Sequence, residues 1–189
     1  MLEIDDNLKQ EVIDRLECPI VLIGLMGAGK TRLGRMLADA LGLDFVDCDE
    51  EIEKSARSSV SEIFERYGEQ AFRDGEHKVI KRLIGEGVRV ISTGGGAVMT
   101  EATASLVWEK SISVWIRADI ETTLERVTRN IEKRPVLAVG EPREILEKLT
   151  EKRYPVYEKA DIVIDSGQDE EDKAVYKAVK ELYTLLCDK

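Results

Sequence analysis

The stretch Ile20 to Gly34, IVLIGLMGAGKTRLG, limits what this chain can fold into more than any other. It opens with Ile20-Val21-Leu22-Ile23, an apolar run rich in β-branched residues that reads as a buried strand and stops at Gly24. Gly24-Leu25-Met26-Gly27-Ala28-Gly29-Lys30-Thr31 then fits G-x-x-x-x-G-K-[ST] at every fixed position. Glycines let successive N–H groups turn inward on phosphate oxygens, and the next helix sets its positive end on the same anion. Gly27, Ala28, Gly29 and Arg32 are therefore candidate nucleotide contacts. Lys30 is placed to reach the β- and γ-phosphates, and the Thr31 hydroxyl to meet Mg²⁺. Leu33, Met36, Leu37, Ala40 and Leu41 give the downstream segment one apolar face, with Gly42 as its C-cap.

Composition narrows the partners. A net charge of −10 argues against a nucleic acid held by a general basic surface. Cys18, Cys48 and Cys187 are odd in number and lack paired spacing, which reads as reduced thiols in a cytoplasmic protein. No apolar run is long enough to span a membrane, and the N-terminal segment is too charged for a signal peptide. We expect residues 1–189 to form a single phosphate-loop domain acting as a monomer, with a leading helix over 1–17 and a mobile lid over about 126–141.

Several stretches carry polar groups where ligands gather in open α/β sheets, at the C-terminal ends of strands. Leu43 to Asp47 reads as a second strand running into Asp47-Cys48-Asp49, and alternation places Asp47 and Asp49 on one side. Asp49 also fits as the cap of a helix from Glu50 to Ala56. Segments 58–67 and 69–84 look helical, with breaks at Gly68 and Gly85. The second holds Arg73 and Glu76, spaced to pair on one face, beside His77, which reads as a surface residue. A third strand, Val88 to Ser92, ends in Thr93-Gly94-Gly95-Gly96-Ala97, glycines that offer N–H groups and permit close approach of a ligand. It has no terminal acid, so carboxylate help for a metal falls to Asp47 or Asp49.

Further strands are expected at Ile112 to Ile116 and Asp161 to Asp165, with Asp119 capping the helix between them that contains Leu124 and Val127. Residues 126–134 then place four cations, Arg126, Arg129, Lys133 and Arg134, against the single acid Glu132. In so acidic a chain that reads as a basic lid over a transferring phosphate. Pro142 to Lys159 is helical in part, interrupted at Pro155, and Asp169 to Cys187 is the closing helix. Five strands alternating with helices imply a parallel sheet covered on both faces. There is no Asn-Lys-x-Asp motif for guanine, and the strand-terminal acid of motor ATPases is missing. A small-molecule phosphotransferase remains.

The combination GLMGAGKTRLG, DCD at 47–49, FRDGE at 72–76, TGGGA at 93–97, KRPVL at 133–137 and RYPVY at 153–157 resembles shikimate kinase, in that family's order over roughly residues 18 to 165. The resemblance implies ATP-dependent phosphorylation of the 3-hydroxyl of shikimate in aromatic amino-acid biosynthesis, with Mg²⁺. It implies that Asp49, Arg73, Gly94, Gly95, Gly96 and Arg153 face shikimate, the two arginines on its carboxylate and Asp49 as base. Glu76 would orient Arg73. Lys30 and Arg134 would neutralise the transferring phosphoryl group, with Thr31 on Mg²⁺ directly and Asp47 through water. Arg126 and Arg129 both fit an adenine-stacking role, and Ser166-Gly167-Gln168 would replace a proline seen under the base in some members. The alternatives are a kinase for another hydroxy acid such as gluconate, or a nucleotide-binding scaffold without turnover.

Overall fold

Five short apolar runs and the amphipathic segments between them become one parallel sheet with helices on both faces, in a computed structural model that describes residues 4–128, 140–167 and 171–188. The strands are β1 (Ile20–Ile23), β2 (Phe45–Asp47), β3 (Val90–Ser92), β4 (Ile112–Arg117) and β5 (Ile162–Asp165). The helices are α1 (Asp6–Arg15), α2 (Lys30–Leu41), α3 (Cys48–Ala56), α4 (Val60–Gly85), α5 (Glu101–Lys110), α6 (Ile120–Thr128), α7 (Pro142–Tyr157) and α8 (Glu171–Cys187). Strand order is β2-β3-β1-β4-β5, so the chain leaves β1 in one direction, returns through β3 and crosses to β4 on the other side. That reversal beside β1 opens a crevice at the carboxyl ends of the strands, and the phosphate loop leaves β1 into it.

Both faces of the sheet are covered, which is why β1 is apolar without alternation. Ile20 and Leu22 point into a core shared with Val12 of α1, Leu33 and Leu37 of α2, and Val179 and Leu182 of α8. Val21 and Ile23 point the other way, to Ile80 and Leu83 of α4, Val107 of α5 and Tyr157 of α7. The leading helix is thus part of the core.

Three local expectations need correction. Strand β2 ends at Asp47, whose side chain caps α3 by accepting from the Asp49 N–H at 3.0 Å. Asp49 therefore lies in the first turn of a helix, and Asp47, not Asp49, is the cap. Helix α7 runs through Pro155. A proline there loses a single backbone bond, and the helix ends two residues later, so little is forfeited, while buried Leu146 and Tyr157 anchor its two ends. His77 is half-buried, its Nδ1 3.0 Å from the Thr103 hydroxyl, and is not a surface residue. The expected break at Gly68 is present, at φ 79° and ψ 172°, a conformation that glycine reaches easily. Arg129, Arg134, the KRPVL segment and Gln168 lie outside the described residues, and so does most of the expected lid.

Candidate active site

The loop after β1 turns through Gly27 and Gly29 at positive φ (78° and 97°), and α2 begins at Lys30 with Gly29 as its N-cap. Having no side chain, that cap leaves the first N–H groups of α2 pointed at the crevice. The Lys30 ammonium lies over the loop, donating to the carbonyls of Gly24 at 2.8 Å and Leu25 at 2.9 Å. Ala28 is turned into the core, so only its backbone borders the loop. Arg32 is exposed and paired with Glu171 at 2.6 Å.

Arg126, near the end of α6, reaches across the same loop. It donates to the carbonyls of Ala28 at 3.2 Å and Gly167 at 2.7 Å, and to the Ser166 hydroxyl at 3.1 Å. A Cβ built on Gly29 would lie 3.4 Å from its guanidinium. Of the two arginines that fitted the nucleotide, Arg126 is thus held against the phosphate loop and the segment after β5.

The acids stand on the other side. Thr31 donates from its hydroxyl to Asp47 Oδ2 at 2.8 Å. Oδ1 of Asp47 accepts from the Asp49 N–H, which fixes the turn between them. Burial raises the Asp49 carboxyl above its ordinary range, and the charge of Asp47 adds to this, while Lys30 and Arg73 pull against it. A carboxyl raised in this way is, once ionised, a better proton acceptor than a free one.

Opposite the phosphate loop, α4 presents Arg73 and Glu76. The pair that looked like a surface contact is nearly closed to solvent. Glu76 is 1% exposed and accepts from Arg73 Nη1 at 2.6 Å. Its other oxygen, Oε1, has no partner among the described residues. Burial raises Glu76, and the charge and hydrogen bond of Arg73 only partly offset this.

The three glycines after β3 fit between these groups. A Cβ on Gly94 would stand 2.6 Å from Glu76 Oε1 and 3.2 Å from Asp49 Oδ1. On Gly95 it would stand 3.1 Å from Arg153 Nη1 and 3.2 Å from the Met26 nitrogen, and on Gly96 it would collide with the Arg73 guanidinium. Neither Gly94 nor Gly96 takes a positive φ, so what glycine supplies there is space: a side chain would push Glu76 or Arg73 from its place.

All these groups line one cleft of about 610 Å³. It brings together Gly27, Gly29, Lys30, Thr31, Arg32, Asp47, Asp49, Arg73, Gly94, Gly95, Gly96, Arg126 and Arg153. Sequence reasoning missed its apolar wall, Val60, Phe64 and Phe72, and the buried Thr93. Phe72 occupies an apolar position on a helix and reads as ordinary core; its neighbour Arg73 was the available signal. Cys48 is buried, its thiol pushed well above the usual range by burial and the surrounding acids, so it is no nucleophile.

One cleft thus holds a phosphate loop, a hydroxyl–carboxylate pair beside it, and two arginines facing a buried acid. A sequence model of the shikimate kinase family matches residues 26–183. Shikimate kinase from Paramagnetospirillum magneticum is 48% identical over 172 residues, 91% of this chain and 88% of that one. The enzyme from Novosphingobium aromaticivorans is 50% identical over 157 residues, 81% of each chain. The structure of shikimate kinase from Acinetobacter baumannii in complex with shikimate superimposes with a TM-score of 0.81 at 34% identity, over 90% of this chain and 93% of that one. With sequence, fold and cleft in agreement over nearly the whole length, this chain belongs to the shikimate kinase family.

Proposed function

We propose that this protein transfers the γ-phosphoryl group of ATP to the 3-hydroxyl of shikimate, giving shikimate 3-phosphate and ADP for aromatic amino-acid biosynthesis. The observation that carries the reading is the convergence of Arg73, Arg153 and Asp49 on the glycine corner, facing the phosphate loop across one cleft. Planar guanidinium forks at Arg73 and Arg153 suit a carboxylate, and Glu76 keeps the first of them aimed. Gly94, Gly95 and Gly96 let the acceptor ring approach the backbone. Asp49 takes the proton from the 3-hydroxyl as its oxygen bonds to the γ-phosphorus and the bond to the ADP oxygen breaks.

On the donor side, the loop N–H groups and Lys30 hold the phosphates, and Arg126 flanks the base. Arg134, Arg129 and Gln168 belong to the same reading as lid and base contacts. Thr31 and Asp47 offer hydroxyl and carboxylate oxygens, hard donors that fit Mg²⁺. No cluster of three acidic, histidine or cysteine ligands occurs among the described residues, so the nucleotide and water would complete its coordination. When bound, Mg²⁺ neutralises charge on the β- and γ-phosphates. Positioning and charge neutralisation then do most of the work, as suits a loose phosphoryl-transfer transition state.

The test is ADP release in a coupled assay with Mg·ATP and shikimate, quinate, gluconate, a nucleoside monophosphate or no acceptor. Turnover confined to shikimate is the expected result. Turnover with gluconate instead would reassign Arg73 and Arg153 to another anion, and ATP binding without turnover on any acceptor would leave a scaffold.

A further inference from the structure

Tyr157 closes α7 and is 0% exposed, yet its hydroxyl does not end among apolar atoms. It donates to the carbonyl of Gly95, in the glycine corner after β3. One turn earlier on the same helix face stands Arg153, whose Nη1 lies 3.1 Å from where a Cβ on Gly95 would be. The ring is held by Trp115 and Tyr154, with centroids 5.8 Å and 6.2 Å away. A phenylalanine would pack as well there. A buried hydroxyl is costly unless it is bonded, so the oxygen marks a position where a bond is needed.

We infer that Tyr157 is a positioning residue for the acceptor, its hydroxyl donating to the carbonyl of Gly95, the residue against which the Arg153 guanidinium lies, so that glycine corner and carboxylate-binding arginine keep one spacing. This rests on the acceptor site proposed above. Arg153 makes no ion pair within 4 Å among the described residues, and a long side chain without such an anchor samples many rotamers. An arginine already aimed loses less freedom when the carboxylate arrives. Burial holds the phenol at a pKa of about 12, so it remains a donor at any working pH.

The experiment compares wild type, Tyr157→Phe and Tyr154→Phe, whose hydroxyl bonds the Ala118 carbonyl at 3.0 Å instead. For Tyr157→Phe the shikimate KM should rise about three- to tenfold, the scale of one lost hydrogen bond, while the ATP KM stays within about twofold. The loss should shrink to within about twofold when the affinity of shikimate carboxamide is compared, since that group forms no charged pair with Arg153. Tyr154→Phe should leave both KM values in place. An unchanged shikimate KM, an equal rise for both substrates, an equal loss for the carboxamide, or a lowered melting midpoint with both KM values intact would each overturn the inference alone. Wild-type protein that fails to turn over shikimate would overturn the functional reading and this inference with it.

Discussion

Arg73→Ala separates the structural work of the Arg73–Glu76 pair from its work on the substrate. Removing one member of a buried pair costs about 3–5 kcal/mol, because the other charge is left without compensation. Arg73 is 14% exposed and Glu69 reaches it at 3.5 Å, so the lower end applies, about 3 kcal/mol with Glu76 ionised. For a chain of 189 residues each kcal/mol moves the melting midpoint by about 2–4 °C, which gives about 6–12 °C near pH 8.

The loss should depend on pH in a definite direction. Glu76 already titrates above its ordinary 4.5, because burial outweighs Arg73. A carboxyl raised in the folded state gives its full stability below the unfolded pKa and loses it as pH climbs through the folded value. Without Arg73, both of its lowering influences vanish and the folded value climbs further. As pH falls toward 5 the variant's Glu76 takes up its proton before the wild type's does, and the cost falls toward about 1 kcal/mol for the lost hydrogen bond. Thermal melts of both proteins from pH 5 to pH 8, without ligand, should show a gap that widens with pH. A constant gap, or one that narrows, would refute the coupling between this arginine and the ionisation of Glu76.

Three further variants test the cleft. Lys30→Ala should cut turnover by about a hundredfold or more while the fold survives, since it removes a fixed cation from the transferring phosphoryl group; near-normal turnover would remove the phosphate-loop assignment. Asp49→Asn should lower kcat by about 10²–10⁴-fold with intact circular dichroism, and a normal kcat would exclude Asp49 as base. Arg126→Ala should raise the ATP KM about tenfold and leave the shikimate KM in place, because its contacts are confined to the phosphate loop and the segment after β5. Equal effects on both would refute that division.

What could be read from residues and what could not divides along a physical line. The phosphate loop was legible because its constraint is local: glycines at fixed spacing, a lysine and a threonine dictate one backbone path. Gly42 and Gly68 were legible for the same reason, as each takes a positive φ that few other residues adopt. Glu76 was not, since an acid three residues from an arginine looks the same whether solvent or a glycine corner faces it. The glycine corner after β3, distant in sequence, closes over it. The family motifs pointed to its role where local spacing did not. The Asp47–Asp49 turn failed in the other direction. Period-two alternation assumed a strand that continued, whereas the Asp47 side chain had begun a helix by capping it.

The distribution of charge ties these pieces to the chemistry. With 38 acidic and 28 basic residues, the chain as a whole repels the two anions it must bring together. Peripheral arginines do little against that, because acids neutralise them: Arg82 with Glu51, Arg117 with Asp165 and Arg143 with Glu121, at 2.6–2.7 Å. In the cleft a different device operates. The Lys30 ammonium is held by the Gly24 and Leu25 carbonyls, and the Arg126 guanidinium by those of Ala28 and Gly167. A carbonyl dipole orients a cation without cancelling its charge, so these contacts themselves neutralise neither group. Arg73 and Arg32 are the exceptions, each paired with a carboxylate, Glu76 and Glu171. The cleft therefore carries cationic potential inside an acidic protein, set by backbone geometry that the glycines of two loops make accessible.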